Sequence, residues 1–240
     1  MIRYSKPLGE LLAFKQHFFH ENDAQLLHFK HIARVYRAQP PRTSCKNCTH
    51  PLDFSPSASF IKLGVEYTLC ARCGHCNGAF EDTDAFCRFL YTDDDGHTYA
   101  KSYTADDVEQ YRSRVENIYL PKARFLKAAL AEAGAASTEL VDFGAGAGYF
   151  VAAARECGFE VAGYDPSAAL VQLGNAMMGE DLLVKHDMEE TAAMVAGCRA
   201  PITSFVGVLE HLSNPRDVLQ ALKENHRVEY VFFSVPLFSP

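Results

Sequence analysis

The stretch Val141-Asp142-Phe143-Gly144-Ala145-Gly146-Ala147-Gly148 decides the fold of this 240-residue chain. An apolar segment containing one acidic residue runs into three glycines at alternate positions, which predicts a buried strand, a tight turn and a new helix. Glycines let the backbone bend tightly and approach a ligand without interference from Cβ atoms. The helix that follows offers unpaired N–H groups at its N-terminus. The stretch therefore predicts a nucleotide-binding turn.

The spacing of the glycines separates two kinds of nucleotide site. A dinucleotide-binding turn has the form G-x-G-x-x-G, with its third glycine where the new helix packs on the strand. Tyr149 stands at that third position in this chain. The observed spacing of Gly144, Gly146 and Gly148 after Asp142 instead resembles motif I of the class I S-adenosylmethionine (SAM)-dependent methyltransferases.

The segment after the turn continues the alternation of helix and strand. Phe150 to Cys157 is rich in alanine and predicts a helix, and Phe159 to Tyr164 predicts a second strand that ends at Asp165. In nucleotide-binding α/β units an acidic side chain at this point accepts the two ribose hydroxyls, and Asp165 lies 21 residues beyond Gly144, about the expected interval. Pro166 biases Asp165 away from the helical region, as a strand end requires.

Two further strands follow, at Leu182 to Lys185 and at Ile202 to Val208. The methyltransferase resemblance implies that an acidic residue after the third strand faces the adenine amino group, with an apolar neighbour beside the ring. Asp187 and Met188 stand at those positions. After the fourth strand, Leu209-Glu210-His211 resembles a signature found in many small-molecule methyltransferases.

The resemblance implies a SAM site and a candidate base. The residues that it assigns to SAM are Asp142, Gly144, Ala145, Gly146, Gly148, Asp165, Pro166, Asp187, Met188 and Gly207. His211 is the candidate general base, because the ordinary histidine pKa suits proton transfer near neutrality. A histidine that only supports its loop is the alternative. Related quinone O-methyltransferases hold a divalent ion with Glu-x-x-Glu-His, but Gly207 replaces the first glutamate, so no metal is expected there.

A second pattern lies upstream, where Cys45 and Cys48 precede Cys70 and Cys73 in the spacing C-x2-C-x21-C-x2-C. Each close pair presents two sulfurs to one ion, and four thiolates complete the tetrahedral shell that Zn²⁺ prefers. A closed shell of this kind predicts a structural metal with no open coordination position.

Other interpretations of the cysteines remain open. Disulfides are not expected without a secretory signal, and neither pair has the strand-to-helix context of a redox C-x-x-C. Cys76 follows Cys73 by three residues, so Cys76, His50 or His75 could supply the fourth ligand instead.

Composition narrows the classes of partner. The formal net charge of −7 argues against nucleic acid, because affinity for phosphate backbones comes chiefly from lysine and arginine. No segment is apolar enough to span a bilayer, so no membrane partner is expected. Without a targeting signal, the expected location is the cytoplasm.

The patterns predict an α/β protein with four parts. These are an N-terminal helical segment (1–41), a zinc-ribbon-like module (42–100), a helical connector (101–136) and a Rossmann-like SAM-binding sheet (137–240). In the methyltransferase resemblance the connector lies over the cofactor pocket. Tyr111, Arg112 and Arg114 are its candidate lid residues, with packing and ion pairing as the alternative.

A four-cysteine module joined to this fold resembles the bacterial nucleotide-sugar C-methyltransferases of carbohydrate biosynthesis clusters, over about residues 42–236. The resemblance implies methyl transfer to a nucleotide-linked sugar or a related small metabolite. Class I sheets normally have two more strands beyond the fifth, so we expect a truncated sheet whose apolar edge strand, Tyr230 to Val235, could pair in a homodimer. A zinc-finger RNA methyltransferase and a non-catalytic scaffold are the alternative functions.

Overall fold

The structure is a computed structural model that describes residues 22–92 and 108–236. Its N-terminal part consists of α1 (Asn22–Tyr36), a small antiparallel sheet of β1 (Ser59–Lys62), β2 (Val65–Leu69) and β3 (Cys76–Gly78), and α2 (Asp84–Tyr91). The side chain of Thr83 caps α2 by accepting a hydrogen bond from the backbone N–H of Phe86. Ala33, Tyr36, Val65 and Phe86 form a small core that joins both helices to the sheet.

The connector is one continuous helical segment. It consists of α3 (Val108–Arg114), a π-helical turn (Val115–Tyr119) and α4 (Leu120–Glu132). Proline is tolerated in the first turn of a helix, and Pro121 stands there in α4. A π-helical turn is rare and often lies at a functional site, because it changes the direction in which the next side chains point. Here it carries Tyr119 to the wall of the cavity described below.

Strands and helices alternate through the rest of the chain. They are β4 (Glu139–Phe143), α5 (Tyr149–Glu156), β5 (Glu160–Asp165), α6 (Ala168–Met178), β6 (Leu183–Lys185), a 3₁₀ turn (Met188–Glu190), α7 (Thr191–Gly197), β7 (Ile202–Val206), α8 (Pro215–Glu224) and β8 (Tyr230–Ser234). All five strands are parallel, in the order β6-β5-β4-β7-β8. The predicted α/β fold with a Rossmann-like sheet is confirmed.

The sheet is covered on both faces, as parallel sheets require. Alternate side chains of a strand point to opposite faces. Leu140 and Ile202 therefore join a core with α4 and α5, whereas Phe143 and Phe205 join a second core with α7 and α8. The rings of Phe143 and Phe205 stack with their centroids 5.3 Å apart.

Among the described residues, β8 is an edge of the sheet. Tyr230 and Phe232 pack against the first core, whereas Val231 and Phe233 point away from it and are 40% and 56% exposed. In the same described part of the chain, no helix has the length and hydropathy needed to cross a membrane. The division of the chain at residues 41, 100 and 136 stays a prediction.

Candidate functional site

A cavity of about 930 Å³, including its open mouth, lies beyond the C-terminal ends of the central strands. The strand order reverses between β4 and β7, and a crevice forms at such a point because the loops after the two strands diverge. Nine residues predicted for cofactor or base line this cavity: Asp142, Gly144, Ala145, Gly146, Asp165, Pro166, Met188, Gly207 and His211. The fold therefore collects most of the predicted site.

The glycine turn is held tightly on one side and open on the other. The backbone N–H groups of Gly144 and Ala145 both donate to Tyr164 O, at 2.7 and 2.9 Å, which fixes the turn against β5. Gly144 and Gly146 have φ angles of 72° and 57°, which favour glycine. A Cβ atom on Gly144 would lie 2.4 Å from Val208, whereas one on Gly146 would meet no atom within 4 Å. Gly146 therefore faces open space.

Asp165 connects this turn to the end of β5. Its two carboxylate oxygens accept hydrogen bonds from the backbone N–H groups of Gly146 at 2.7 Å and Ser167 at 2.9 Å. The residue is 7% exposed, and this burial raises the pKa of the carboxyl group, while the two hydrogen bonds oppose the rise. The carboxylate thus stands at the floor of the cavity, beside the open side of the turn.

Asp142 lies deeper, within β4. Its carboxylate accepts a hydrogen bond of 2.6 Å from the Ser204 hydroxyl on β7. Complete burial raises the pKa of Asp142 to about 7, although the Ser204 hydrogen bond and the Lys122 ammonium favour the charged form. Burial also lowers the pKa of Lys122.

His211 lies in the loop after β7, at the mouth of the cavity. The Tyr91 hydroxyl is 2.7 Å from His211 Nδ1, and the two rings meet edge to face with centroids 5.4 Å apart. The other ring nitrogen, Nε2, is 3.9 Å from Glu210 Oε1. Desolvation by burial lowers the pKa of His211, and the Glu210 carboxylate opposes this effect. His211 therefore has a fixed ring orientation and favours its neutral form.

A family model described as a methyltransferase domain matches residues 92–239, which is more than half of the chain. The chain belongs to this methyltransferase family. The matched region contains the five-stranded sheet, the glycine turn and His211. The methyltransferase predicted from the motifs is confirmed by this match. A search of the curated proteins found no match.

Solved methyltransferase structures resemble the chain at low sequence identity. The plantazolicin methyltransferase BpumL in complex with SAH is 14% identical, with a TM-score of 0.43 over 57% of this chain and 51% of that chain. CalS10, an amino pentose methyltransferase from Micromonospora echinaspora, is 17% identical, with a TM-score of 0.40 over 50% and 52%. A SAM-dependent methyltransferase from Geobacter sulfurreducens is 20% identical, with a TM-score of 0.36 over 47% and 46%. The alignments thus span about half of each of these chains.

Two predicted residues of the methyltransferase domain lie outside the cavity lining. Gly148 is behind the turn, where a Cβ atom would lie 3.0 Å from Leu183 and Met178. The carboxylate of Asp187 is 69% exposed and lies 3.7 Å from Lys185 Nζ. Their roles in holding a cofactor stay predictions.

The sequence motifs did not predict several residues that line the first cavity. His186 and Ser167 stand beside predicted residues without belonging to a motif. Thr191 lies three residues beyond Met188, and Tyr91 and Tyr119 come from distant helical segments. The only available signals were the adjacency of His186 to Asp187 and of Ser167 to Pro166.

The candidate lid residues of the connector divide between core and surface. Tyr111 is 5% exposed, donates a hydrogen bond of 3.0 Å to Ala147 O, and stacks on Tyr149. Arg114 lies over the Tyr149 ring, 5.5 Å from its centroid. Arg112 is exposed and pairs with Glu116. Packing therefore accounts for Tyr111, which was the alternative interpretation of that residue.

The four predicted metal ligands lie together. The sulfurs of Cys45, Cys48, Cys70 and Cys73 all lie within 4.8 Å of one another. Sγ of Cys45 is 3.6 Å from that of Cys73, and Sγ of Cys48 is 3.5 Å from that of Cys70. A tetrahedral zinc ion with Zn–S bonds of about 2.3 Å places its sulfurs about 3.8 Å apart. The donor set and its spacing therefore fit zinc.

Both cysteine turns have the same backbone geometry. The N–H of Thr49 donates to Cys45 O, and the N–H of Gly74 donates to Cys70 O, at 2.9 and 2.8 Å. Thr49 and Gly74 both have positive φ, of 60° and 72°. Cys76, His50 and His75 are outside the four-sulfur group found among the described residues.

A second cavity, of about 960 Å³ including its mouth, lies between α1, the cysteine module and Glu210. Arg42 and Lys46 line it and both pair with Asp82, at 2.9 and 2.8 Å. Tyr36, Tyr67 and Phe29 provide aromatic surface. Glu210 lines this cavity and its neighbour His211 lines the first one, so the two cavities approach each other at consecutive residues.

Proposed function

We propose that this methyltransferase binds SAM in the first cavity and methylates a small metabolite, a nucleotide-linked sugar or a related carbohydrate precursor. One observation carries the proposal: the glycine turn, the Asp165 carboxylate and His211 line one crevice at the C-terminal edge of the sheet. The bound cofactor supplies an electrophilic methyl group on its sulfonium sulfur. The chain then has to bind it, orient the acceptor and remove the acceptor proton.

The residues of the cavity fit such a cofactor. Gly146 leaves open the space that a side chain would fill, so ligand atoms can approach the backbone there. Asp165 is a buried acceptor beside that space, in the position from which a carboxylate would receive the ribose hydroxyls. Met188 and Leu170 supply apolar surface for a purine ring.

His211 is our candidate for the base. A neutral imidazole can take a proton only at a nitrogen that carries no hydrogen. When Nδ1 carries the hydrogen and donates to the Tyr91 oxygen, Nε2 keeps its lone pair for the acceptor. The lowered pKa of His211 keeps this form available at neutral pH.

The second cavity is our candidate for the acceptor site. Its buried cations, Arg42 and Lys46, lie close to aromatic side chains, which is a combination suited to the phosphates and base of a nucleotide. We further propose that the four cysteines bind one structural zinc ion, which holds the wall of this cavity in place. The zinc ion would hold the four thiolates around one centre.

The first experiment is calorimetric titration of the chain with S-adenosylhomocysteine (SAH). We expect micromolar binding that Asp165→Ala weakens by about tenfold to a hundredfold, since hydrogen bonds to charged groups contribute about 1.5–3 kcal/mol. Asp181→Ala is the matched control, because this exposed residue is not part of the first cavity. Circular dichroism would verify that each variant is folded. No binding to the folded wild type would refute the proposal.

The acceptor class is tested separately. The chain would be incubated with SAM and a panel of nucleoside diphosphate sugars, and SAH release would be measured with the free sugars and an RNA transcript as comparisons. Release that depends on a nucleotide sugar supports the proposal. Release that depends only on RNA would contradict it.

We also propose that two copies pair through β8, in the cytoplasm. Val231 and Phe233 expose apolar surface on this edge strand, and edge strands tend to pair. Light scattering should give the mass of a dimer for the wild type and of a monomer for Phe233→Lys. A monomeric wild type would rule out this pairing.

A further inference from the structure

We propose that His186, and not Asp187, accepts the hydrogen bond from the exocyclic amino group of the cofactor's adenine. The assignment rests on the proposed function, because it names a contact inside the proposed SAM site. His186 directly follows β6 and is 9% exposed. It lines the first cavity together with Met188, Leu170 and Thr191.

The ring of His186 is held by two contacts. Its Nδ1 lies 2.7 Å from the backbone oxygen of Asp187, and the ring meets Tyr164 edge to face with centroids 6.2 Å apart. A carbonyl oxygen can only accept, so in the neutral ring Nδ1 carries the hydrogen and Nε2 keeps a lone pair. No hydrogen bond to Nε2 is formed by any residue in the described parts of the chain. A ligand that donates an N–H group would satisfy this acceptor.

Asp187 is turned away from the same space. Its carboxylate is 69% exposed and lies nearest to Lys185, at 3.7 Å. Its backbone oxygen instead holds the His186 ring. An exposed carboxylate already solvated by water gains little from one more donor, whereas a ring nitrogen of His186, a residue that is 9% exposed, has less water to lose and gains more from a donor.

His186 is also placed next to the residue proposed for the ribose. Its backbone N–H donates to Asp165 O at 3.2 Å, because β5 and β6 are paired in parallel up to Asp165 and Lys185. Base and ribose of a nucleoside are directly linked, so their acceptors should come from neighbouring residues. The pair Asp165 and His186 meets this condition on adjacent strand ends.

The test compares two ligands and three variants by calorimetry. The ligands are SAH and its 6-deamino analogue, in which the purine carries hydrogen in place of the amino group. The wild type should bind the analogue about fivefold or more weakly than SAH. His186→Phe should bind both ligands equally, at the level of the analogue. His186→Gln, which keeps an acceptor oxygen, should restore part of the preference, and Asp187→Asn should leave it unchanged.

The outcomes separate the possible errors. Equal binding of both ligands by the wild type would overturn the assignment without any variant. Loss of the preference in Asp187→Asn, with retention in His186→Phe, would assign the contact to Asp187. If His186→Phe weakens the binding of both ligands by the same factor and still prefers SAH, His186 contacts another part of the ligand. If the folded wild type binds no SAH, the proposed function fails and this assignment fails with it.

Discussion

The hydroxyl of Tyr91 lies 2.7 Å from His211 Nδ1, although the two residues are 120 positions apart. Tyr91 belongs to α2, and His211 belongs to the loop after β7. A second contact supports the first, since Cys87 Sγ lies 3.8 Å from the backbone oxygen of His211. The helix that follows the cysteine module therefore holds the candidate base in one orientation.

Replacing Tyr91 with Phe should lower kcat by about threefold to tenfold, because a hydrogen bond that orients the base contributes about 0.5–1.5 kcal/mol. SAH affinity should stay the same. The ¹⁵N shifts of the His211 ring should also change, since Nδ1 loses its partner. Tyr230→Phe serves as the control, because Tyr230 is the first residue of β8, packs against the first core and does not line the first cavity. An unchanged kcat and an unchanged ¹⁵N spectrum would show that the contact does not position the ring.

The buried Asp142 should make stability depend on pH. Its pKa rises from 3.8 to about 7 on folding, so between these values the folded protein holds a proton that the unfolded chain releases. The contribution of Asp142 to the free energy of unfolding is thus largest below pH 4 and is lost as the pH rises to 7. Asp142→Asn should remove this dependence. Its free energy of unfolding should rise relative to that of the wild type by at most about 4 kcal/mol between pH 4 and pH 8. Urea unfolding at several pH values measures it.

Asp187→Asn is the control for this pH series, since its carboxylate is exposed. Parallel stability curves for Asp142→Asn and the wild type would contradict the prediction. They would mean that the Ser204 hydrogen bond and Lys122 keep Asp142 charged.

Replacing two helical glycines with alanine should change the stability of the protein in opposite directions. A Cβ atom on Gly174 would lie 2.6 Å from Ala147 O and 2.4 Å from Leu183. Gly174→Ala should therefore lower the free energy of unfolding by about 1–3 kcal/mol, because the added methyl group overpacks the core. A Cβ atom on Gly197 would have no atom within 4 Å. Gly197→Ala should therefore raise the free energy of unfolding by up to about 1 kcal/mol. Thermal unfolding of the two variants distinguishes them. Equal effects would show that the contact between α6 and the glycine turn can relax.

The cysteine cluster predicts one zinc ion for each chain. Cys70→Ser should lose the metal, because it removes one of four sulfurs that lie within 4.8 Å of one another. Cys76→Ser should keep it, since Cys76 lies outside that group. Metal analysis of the purified variants gives the stoichiometry. Zinc that is lost in Cys76→Ser and kept in Cys70→Ser would assign the fourth ligand to Cys76.

The larger part of the fold was predictable because its signals are local. Alternating strand and helix patterns, the three glycines after Asp142 and the cysteine spacing each occupy a short stretch of chain. Parallel strand ends meet at one edge of a sheet, so the convergence of Gly146, Asp165 and His211 also follows from their positions after strands. Bounds differed by one or two residues, as in the fourth strand, which ends at Val206 and not at Val208.

The orientation of side chains was less predictable. Asp187 matched a motif position, yet its side chain points to solvent, and the adjacent His186 lines the cavity. The backbone conformation after β6 decides which of these two neighbouring side chains faces the cavity. No recognisable sequence pattern encodes that conformation. In the sequence, Thr104 and Asp107 form a capping-box-like pair that predicts the start of a connector helix, and both lie outside the described residues.

By itself, the sequence determined the α/β fold, the nucleotide-type turn and the pairing of cysteines into a four-sulfur set, because residue type and spacing act over a few residues or one βα unit. The tertiary structure alone decided that Tyr91 meets His211, that Tyr119 reaches the cavity from a π-helical turn, and that Asp142 is buried with a raised pKa. These features depend on packing between distant segments and on exclusion of water, and neither quantity is local in the chain.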